Sequence, residues 1–119
     1  MLSMPTKVFN ANDVIFKEGD PAGDAYVVLS GRVEMSVQED GTKVTLATLG
    51  KDAVFGDMSL IDDVPRSATV IALEKTECFA IDINEFRTKL ESLDPFMQAV
   101  YKILCGRLRD LNQKLTQFR

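Results

Sequence analysis

The sequence predicts a mainly β protein with flanking helices, in which an antiparallel β jelly-roll barrel precedes a short helix and a long C-terminal helix. Short apolar runs separated by turn residues fill the first two thirds, and several of them alternate apolar with polar residues. Residues 96–119 contain no proline and only one glycine. A chain of 119 residues suits one domain. We therefore expect a single domain over residues 1–119, with the barrel at about 7–83 and the helices at about 84–119.

The strands are predicted by apolar runs that turn residues interrupt. Residues 33–38 show the clearest alternation, which indicates a strand with one buried face. Asp40-Gly41 follows and predicts a tight hairpin, because glycine adopts a positive φ at no steric cost. The other predicted strands are residues 14–16, 25–29, 44–48, 67–73 and 78–83.

Two helix starts follow the last predicted strand. Asp82 and Glu85 have the spacing of a capping box, which predicts a short helix from Asn84 to about Leu90. Asp94-Pro95 then combines an N-cap acceptor with proline at the first helical position, which predicts the start of the long helix.

The long helix has apolar residues at the spacing of a coiled coil. The predicted seam has Tyr101, Leu108 and Leu115 at position a, and Met97, Leu104, Leu111 and Phe118 at position d. Val100 and Ile103 lie off this seam and are expected to face the barrel. We therefore favour a homodimer formed through this helix. The alternative is an amphipathic helix that packs only on its own barrel.

The composition excludes several function classes. The chain has no histidine, which removes Ser-His-Asp and Cys-His catalysis and histidine-ligated metal sites. A net charge of −4 argues against nonspecific nucleic-acid binding. Cys78 and Cys105 lack metal or redox spacing, so we expect reduced, buried thiols. No stretch approaches the ~18 apolar residues of a membrane span, which predicts a cytoplasmic location and no membrane segment.

The charge is divided unevenly along the chain. Residues 1–95 carry 9 basic and 17 acidic side chains, giving −8, whereas residues 96–119 carry 5 and 1, giving +4. An anion that enters so acidic a barrel needs a local positive site.

Residues 55–70 form the most unusual segment. Gly56 precedes a short helix-like run, which places free backbone N–H groups at a helix N-terminus. Arg66 follows Pro65, and its forked guanidinium is well shaped to hold a phosphate. Asp57 can accept hydrogen bonds from sugar hydroxyls. Together with an apolar barrel wall, these residues predict a pocket for a nucleotide monophosphate.

Simpler interpretations of the same residues stay open at this point. Arg66 can be a surface residue that pairs with Asp62 or Asp63, and Asp57 can be an ordinary residue of the first helical turn. The acids of this segment lack the regular spacing of a cation site, so we expect solvated loop carboxylates and no metal.

The segment Phe55–Val70 resembles the phosphate-binding cassette of cyclic nucleotide-binding domains, the family of the catabolite activator protein and the protein kinase A regulatory subunit. The family pattern is F-G-E-hydrophobic-small-L, a variable gap, and P-R-small-A-T-V. This chain has FGDMSLI and PRSATV. The resemblance extends upstream through VIFKEGD at residues 14–20 and AYVVLSGRV at residues 25–33, and so covers essentially the whole chain.

The resemblance implies a regulatory module, not an enzyme, that binds cyclic AMP, or alternatively cyclic GMP, and needs no cofactor. Arg66 would hold the cyclic phosphate, helped by the backbone N–H groups of Met58, Ser59 and Ala68 and by the Ser67 hydroxyl. The middle turns of the last helix, 107–111, would cover the base, and movement of that helix would reach an effector domain or partner. The implied ligand-binding residues are Leu46, Ala47, Phe55, Gly56, Asp57, Met58, Ser59, Pro65, Arg66, Ser67 and Ala68.

One residue departs from the family pattern. Asp57 stands where the family has a glutamate that binds the ribose 2′-hydroxyl, and its side chain is shorter by one methylene, about 1.5 Å. We expect this to weaken ligand binding without abolishing it, because Arg66 remains. The alternative function is a dimerisation or docking domain of the same fold with a non-functional pocket. The chain lacks the helix-turn-helix with which family transcription factors bind DNA, so we expect no DNA binding by this chain alone.

Overall fold

The computed structural model describes residues 5–117, with side chains described up to residue 111. It confirms the predicted class, since strands fill the first two thirds and helices the end. The elements are β1 (Thr6–Phe9), β2 (Val14–Phe16), β3 (Ala25–Ser30), β4 (Val33–Glu39), β5 (Thr42–Leu49), β6 (Val54–Phe55), α1 (Met58–Ile61), β7 (Thr69–Ala72), β8 (Thr76–Ile81), α2 (Ile83–Glu91) and α3 (Pro95–Gln117).

The strands form two antiparallel sheets of four strands, in the orders β1-β8-β3-β6 and β2-β7-β4-β5. The predicted jelly roll is confirmed, but its two sheets form a sandwich and do not close into the expected barrel. The physical reason lies at the sheet edges, where β2 has three residues and β6 has two. Such short strands cannot carry a continuous hydrogen-bond ladder from one sheet to the other.

The core lies between the sheets and is built on aromatic contacts. Phe55 is completely buried, and its ring stacks on that of Tyr26 with centroids 5.2 Å apart. Phe9 meets the edge of the same tyrosine ring. Cys78 is buried among these residues, as the sequence predicts.

The predicted hairpin joins β4 to β5. Glu39 pairs with Thr42, and the two loop residues, Asp40 and Gly41, have φ values of 52° and 78°. Positive φ at both central positions is typical of a type I′ turn, which matches the twist of the flanking strands.

Both predicted helix starts are confirmed by their caps. The Glu85 N–H donates to Asp82 Oδ1 at 2.8 Å at the start of α2. The Met97 N–H donates to Asp94 Oδ1 at 2.9 Å, and Pro95 is the first residue of α3. Side-chain oxygens thus satisfy N–H groups that have no partner within the helix.

Helix α3 faces its own domain through the predicted buried Cys105 and the half-buried Val100, and also through Tyr101. Cys105 is buried, and the Tyr101 hydroxyl donates to the Leu60 carbonyl oxygen at 3.0 Å. Tyr101 also packs near Phe86 of α2, with ring centroids 6.4 Å apart. Both its ring and its hydroxyl thus have partners within the chain, and its place in a dimer seam stays a prediction. Ile103, expected to face the barrel, is exposed.

The remaining apolar residues of the predicted seam are exposed wherever their side chains are described. These residues are Met97, Leu104, Leu108 and Leu111. The side chain of Leu115, and all of Phe118, lie outside the described residues. No helix in the part of the chain that the structure describes has the length and apolar character needed to span a membrane.

Candidate functional site

A cavity of about 580 Å³ lies between the segment 56–68 and helix α3. This volume is in the range of small-molecule sites. One residue each from β2 and β4 completes the wall. The lining residues are Phe16, Met35, Gly56, Asp57, Met58, Ser59, Asp62, Val64, Pro65, Arg66, Ser67, Ala68, Leu108, Arg109 and Leu111.

Arg66 is the central charged residue of the cavity, although its side chain is only 8% exposed. Nη1 donates to Ser59 Oγ at 2.9 Å and to the Gly56 carbonyl at 3.3 Å, and Nη2 donates to the Asp24 carbonyl at 2.7 Å. The guanidinium carbon lies 3.8 Å from the centroid of the Phe16 ring. These contacts use only part of the guanidinium donor set, which leaves N–H groups for a ligand.

The charge of Arg66 has no counter-ion within the described residues. Its acceptors are two carbonyl oxygens and a hydroxyl, and it forms no ion pair with a carboxylate there. Burial lowers the pKa of Arg66, and the negative charges of Tyr26 (when ionised), Asp24 and Asp20 oppose this only in part. The structure thus removes the alternative in which Arg66 pairs with Asp62 on the surface. A buried cation without a counter-ion is costly, and a bound anion relieves that cost.

The backbone of Arg66 is fixed by the turn after β2. The Arg66 N–H donates to the Asp20 carbonyl at 2.7 Å, and the Gly19 N–H donates to the Arg66 carbonyl at 2.8 Å. Gly19 has a φ of +90°, which L side chains rarely adopt. The upstream motif at residues 14–20 is therefore physically joined to the cassette.

Gly56 permits close packing around the arginine. Its φ is +74°, and a Cβ at this position would lie 2.9 Å from Arg66 Nη1 and 3.0 Å from the Asp24 carbonyl oxygen. Neither atom can withdraw without breaking the hydrogen bond between Arg66 and Asp24. A residue with a Cβ therefore cannot replace Gly56 without displacing the guanidinium of Arg66.

Asp57 presents a free carboxylate at the cavity wall. It occupies the N-cap position of α1, but its side chain makes no capping hydrogen bond. The side chain is exposed and has no hydrogen-bond or ion-pair partner among the described residues. It can therefore accept hydrogen bonds from a ligand.

The backbone donors expected at the phosphate differ in their availability. The Ser59 N–H donates to the Gly56 carbonyl at 3.3 Å, a long bond. The Met58 and Ala68 N–H groups donate to no acceptor among the described residues. These two groups are therefore the better placed for a ligand.

Most of the predicted binding residues line the cavity, and three do not. Phe55 is directed into the core, where it stacks on Tyr26. Leu46 and Ala47 lie on the edge strand β5 and do not line the cavity, although Ala47 pairs in register with Met35, which does. Of the turns predicted to cover the base, Leu108, Arg109 and Leu111 reach the cavity.

Sequence reasoning missed several partners in the site. Phe16 and Asp24 hold the arginine, and Met35 and Val64 add apolar wall. The Ser59 side chain also contributes, where only its backbone was expected to do so. The small residue of the cassette pattern gave no indication that its hydroxyl would bind the guanidinium.

The chain is similar to known proteins over most of its length. A family model described as cyclic nucleotide-binding domain matches residues 6–92. The chain is 34% identical over 102 residues to the cyclic AMP receptor protein of Thermus thermophilus, covering 85% of this chain and 47% of the relative. It is 27% identical over 94 residues to the cAMP-dependent protein kinase regulatory subunit of Dictyostelium discoideum, covering 76% of this chain and 29% of the relative.

Among solved structures, the cAMP-bound form of the EAL enzyme Bd1971 superimposes with a TM-score of 0.73 at 29% identity, covering 95% of this chain and 31% of that one. Its cGMP-bound form gives a TM-score of 0.72 at 31% identity, covering 88% and 28%. The chain spans about half or less of the length of the curated relatives it matches.

Proposed function

The chain belongs to the cyclic nucleotide-binding domain family, and on that premise we propose that its cavity binds cyclic AMP or cyclic GMP. The observation that carries the proposal is the buried guanidinium of Arg66, which faces the cavity without a counter-ion among the described residues. A cyclic phosphate supplies the missing anion and acceptors for the remaining N–H groups.

Each part of the nucleotide has a matching part of the wall. Arg66, the Ser67 hydroxyl and the Met58 and Ala68 N–H groups surround the cyclic phosphate. Asp57 accepts a hydrogen bond from the ribose 2′-hydroxyl. The base lies against apolar side chains, which are Met35, Val64, Leu108 and Leu111.

We favour cyclic AMP as the ligand because the Thermus and Dictyostelium relatives carry cyclic AMP in their names. Serine at position 67 gives no indication of which base is preferred. Bd1971 has both a cAMP-bound and a cGMP-bound form, so cyclic GMP is the alternative ligand.

The proposed role is regulatory and non-catalytic. Leu108, Arg109 and Leu111 of α3 form one wall of the cavity, so the ligand contacts the helix directly. A ligand shifts a conformational equilibrium by its differential affinity for the two states, and contacts to α3 make that affinity depend on the position of the helix. Movement of α3 then carries the signal to an effector domain or partner. A cytoplasmic location remains a prediction.

A second copy of the chain is the proposed partner of α3. Met97 and Leu104 lie on one side of the helix, are exposed and do not line the cavity, whereas Leu111, seven positions further on, is a cavity-lining residue. Apolar residues at this spacing pack against a matching helix in a coiled coil. Because Tyr101 packs against its own domain, the proposed seam contains fewer residues than the sequence predicts.

The alternative function is a docking domain in which the pocket no longer binds a nucleotide. The short side chain of Asp57 is the observation that favours it. The buried charge of Arg66 argues against it, because a buried cation destabilises the fold when no anion is bound to it.

Isothermal titration calorimetry tests the proposed function. The purified chain is titrated with cyclic AMP, cyclic GMP and adenosine, which lacks the phosphate. We expect saturable heat with at least one cyclic nucleotide and none with adenosine. Absence of heat with both cyclic nucleotides, or equal heat with adenosine, would contradict the proposed function and favour the docking domain.

A further inference from the structure

The acidic loop after α1 is attached to α3 at one well-formed contact. Arg109 Nε lies 2.6 Å from Asp62 Oδ2. The two side chains are 40% and 25% exposed, so the pair is partly shielded from water. The hydrogen bond to Asp62 is the main cause that raises the pKa of Arg109. Asp62, expected to be a solvated loop acid, is therefore engaged by the helix.

The neighbouring acid offers a natural comparison. Asp63 Oδ1 lies 3.7 Å from Arg87 Nη2 of α2, and the Asp63 side chain is 82% exposed. The distance is too long for a hydrogen bond, and an ion pair so exposed contributes little. Asp63 does not line the cavity, whereas Asp62 and Arg109 both do.

The rest of α3 is loosely attached to the domain. Among its side chains that the structure describes, only Cys105 is buried. The Tyr101 hydroxyl bonds to Leu60, and Arg109 makes the next polar contact, two helical turns further along. Leu108 and Leu111, which form part of the cavity wall, lie within two positions of Arg109 in the helix. The ion pair is thus the polar contact nearest to the part of α3 that covers the cavity.

We propose that Asp62 is a positioning residue for ligand retention, which holds α3 over the cavity through its ion pair with Arg109. The inference rests on the proposed function, because it concerns the same cavity. When the pair is intact, Leu108 and Leu111 close the wall, and the ligand leaves only after α3 moves away. When the pair is lost, α3 separates more often and the ligand dissociates faster.

Stopped-flow kinetics with a fluorescent cyclic AMP analogue tests the proposal. We expect Asp62→Asn to raise the dissociation rate constant roughly two- to fivefold, the size of a partly exposed ion pair, with little change in the association rate constant. Asp63→Asn is the matched control, and its dissociation rate is expected to equal that of the wild type. Equal rates for wild type and Asp62→Asn, or equal acceleration by both variants, would overturn the proposal.

A double-mutant cycle distinguishes positioning from direct ligand contact. If Asp62 acts through Arg109, the variants Asp62→Asn, Arg109→Gln and the double variant share one effect, so the second substitution adds little. Additive effects would show that Asp62 acts on the ligand by itself and would contradict the proposal.

Hydrogen exchange of α3 in the ligand-free chain provides a readout that does not depend on nucleotide binding. Asp62→Asn is expected to speed exchange of the amides around residues 105–111, and Asp63→Asn is not. Suppose that Asp62→Asn speeds exchange but the wild type binds no nucleotide. The attachment of α3 by Asp62 would then stand, whereas the proposed function and the role in ligand retention would be refuted. Unchanged exchange would refute the attachment itself.

Discussion

Ser59 and Arg66 are joined by a buried hydrogen bond in which Arg66 Nη1 donates to Ser59 Oγ at 2.9 Å. The other acceptors of the guanidinium are backbone carbonyls, and the Phe16 ring covers one of its faces. The serine hydroxyl is therefore the side-chain acceptor that sets the rotation of the guanidinium in its plane. A fixed guanidinium loses little freedom when it binds an anion.

Ser59→Ala is expected to lower both ligand affinity and stability. It removes a hydrogen bond to a charged group, which costs about 1–3 kcal/mol. Calorimetry and urea denaturation measure the two effects. Ser36→Ala removes another buried hydroxyl, from β4 and outside the cavity lining, and is expected to leave affinity unchanged. Equal affinities of Ser59→Ala and wild type would show that the backbone carbonyls alone position Arg66.

Asp57→Glu is expected to tighten ligand binding. The longer side chain reaches further towards the ribose, and the exposed position of Asp57 leaves room for it. A charge-assisted hydrogen bond gained in this way improves affinity by roughly tenfold. Calorimetry with cyclic AMP measures the gain, which should vanish with the 2′-deoxy nucleotide. Unchanged or weaker binding of cyclic AMP would refute the argument from side-chain length.

The tyrosines are expected to ionise late and to make stability fall at high pH. Burial, with a hydrogen bond to Cys105, raises the pKa of Tyr101 to about 12 from 10.0. Burial also raises the pKa of Tyr26, and these are the two tyrosines of the chain. Above about pH 10 the unfolded chain loses protons that the folded chain retains, so the free energy of unfolding decreases towards pH 12.

Absorbance at alkaline pH measures the ionisation of the two tyrosines, and urea denaturation measures the free energy of unfolding. Tyr101→Phe leaves Tyr26 as the single titrating phenol and is expected to flatten the loss of stability above about pH 10. An unaltered slope in this variant would contradict the burial of the Tyr101 hydroxyl against Leu60.

Leu104→Asp is expected to dissociate the proposed dimer. Leu104 is 54% exposed and lies outside the cavity lining, so the substitution acts on the helix surface and not on the pocket. Ala99→Asp is the control, because this exposed residue lies on the opposite side of the heptad. Analytical ultracentrifugation should show a monomer for the first variant and a dimer for the second and for the wild type. Identical sedimentation of all three would mean that α3 forms no seam.

Features that depend on neighbouring residues were predictable from the sequence. Asp40-Gly41 specifies its turn through its own φ preferences, and Asp82 and Asp94 cap their helices within one turn. Arg66 and Asp57 could be identified because each lies in a short motif of the cassette pattern. Each of these depends on a few residues close together in the chain.

Features that depend on distant segments were not predictable. Whether the sheets close into a barrel depends on strand register and edge length, and the inward face of α3 depends on where Leu60 and Phe86 lie. Asp24 reaches Arg66 across 42 positions through a backbone carbonyl, which any residue type possesses. Composition and spacing contain no information about such a contact.

The central claim is that Arg66 supplies the positive charge that binds a cyclic phosphate. Calorimetric titration of cyclic AMP into wild type, Arg66→Ala and Arg87→Ala tests it most directly, since Arg87 is a partly exposed arginine outside the cavity. We expect Arg66→Ala to bind cyclic AMP roughly 10- to 100-fold more weakly, which corresponds to the free energy of one charge-assisted hydrogen bond. Arg87→Ala is expected to bind like the wild type. Equal affinity of Arg66→Ala and wild type, with the variant folded, would contradict the account.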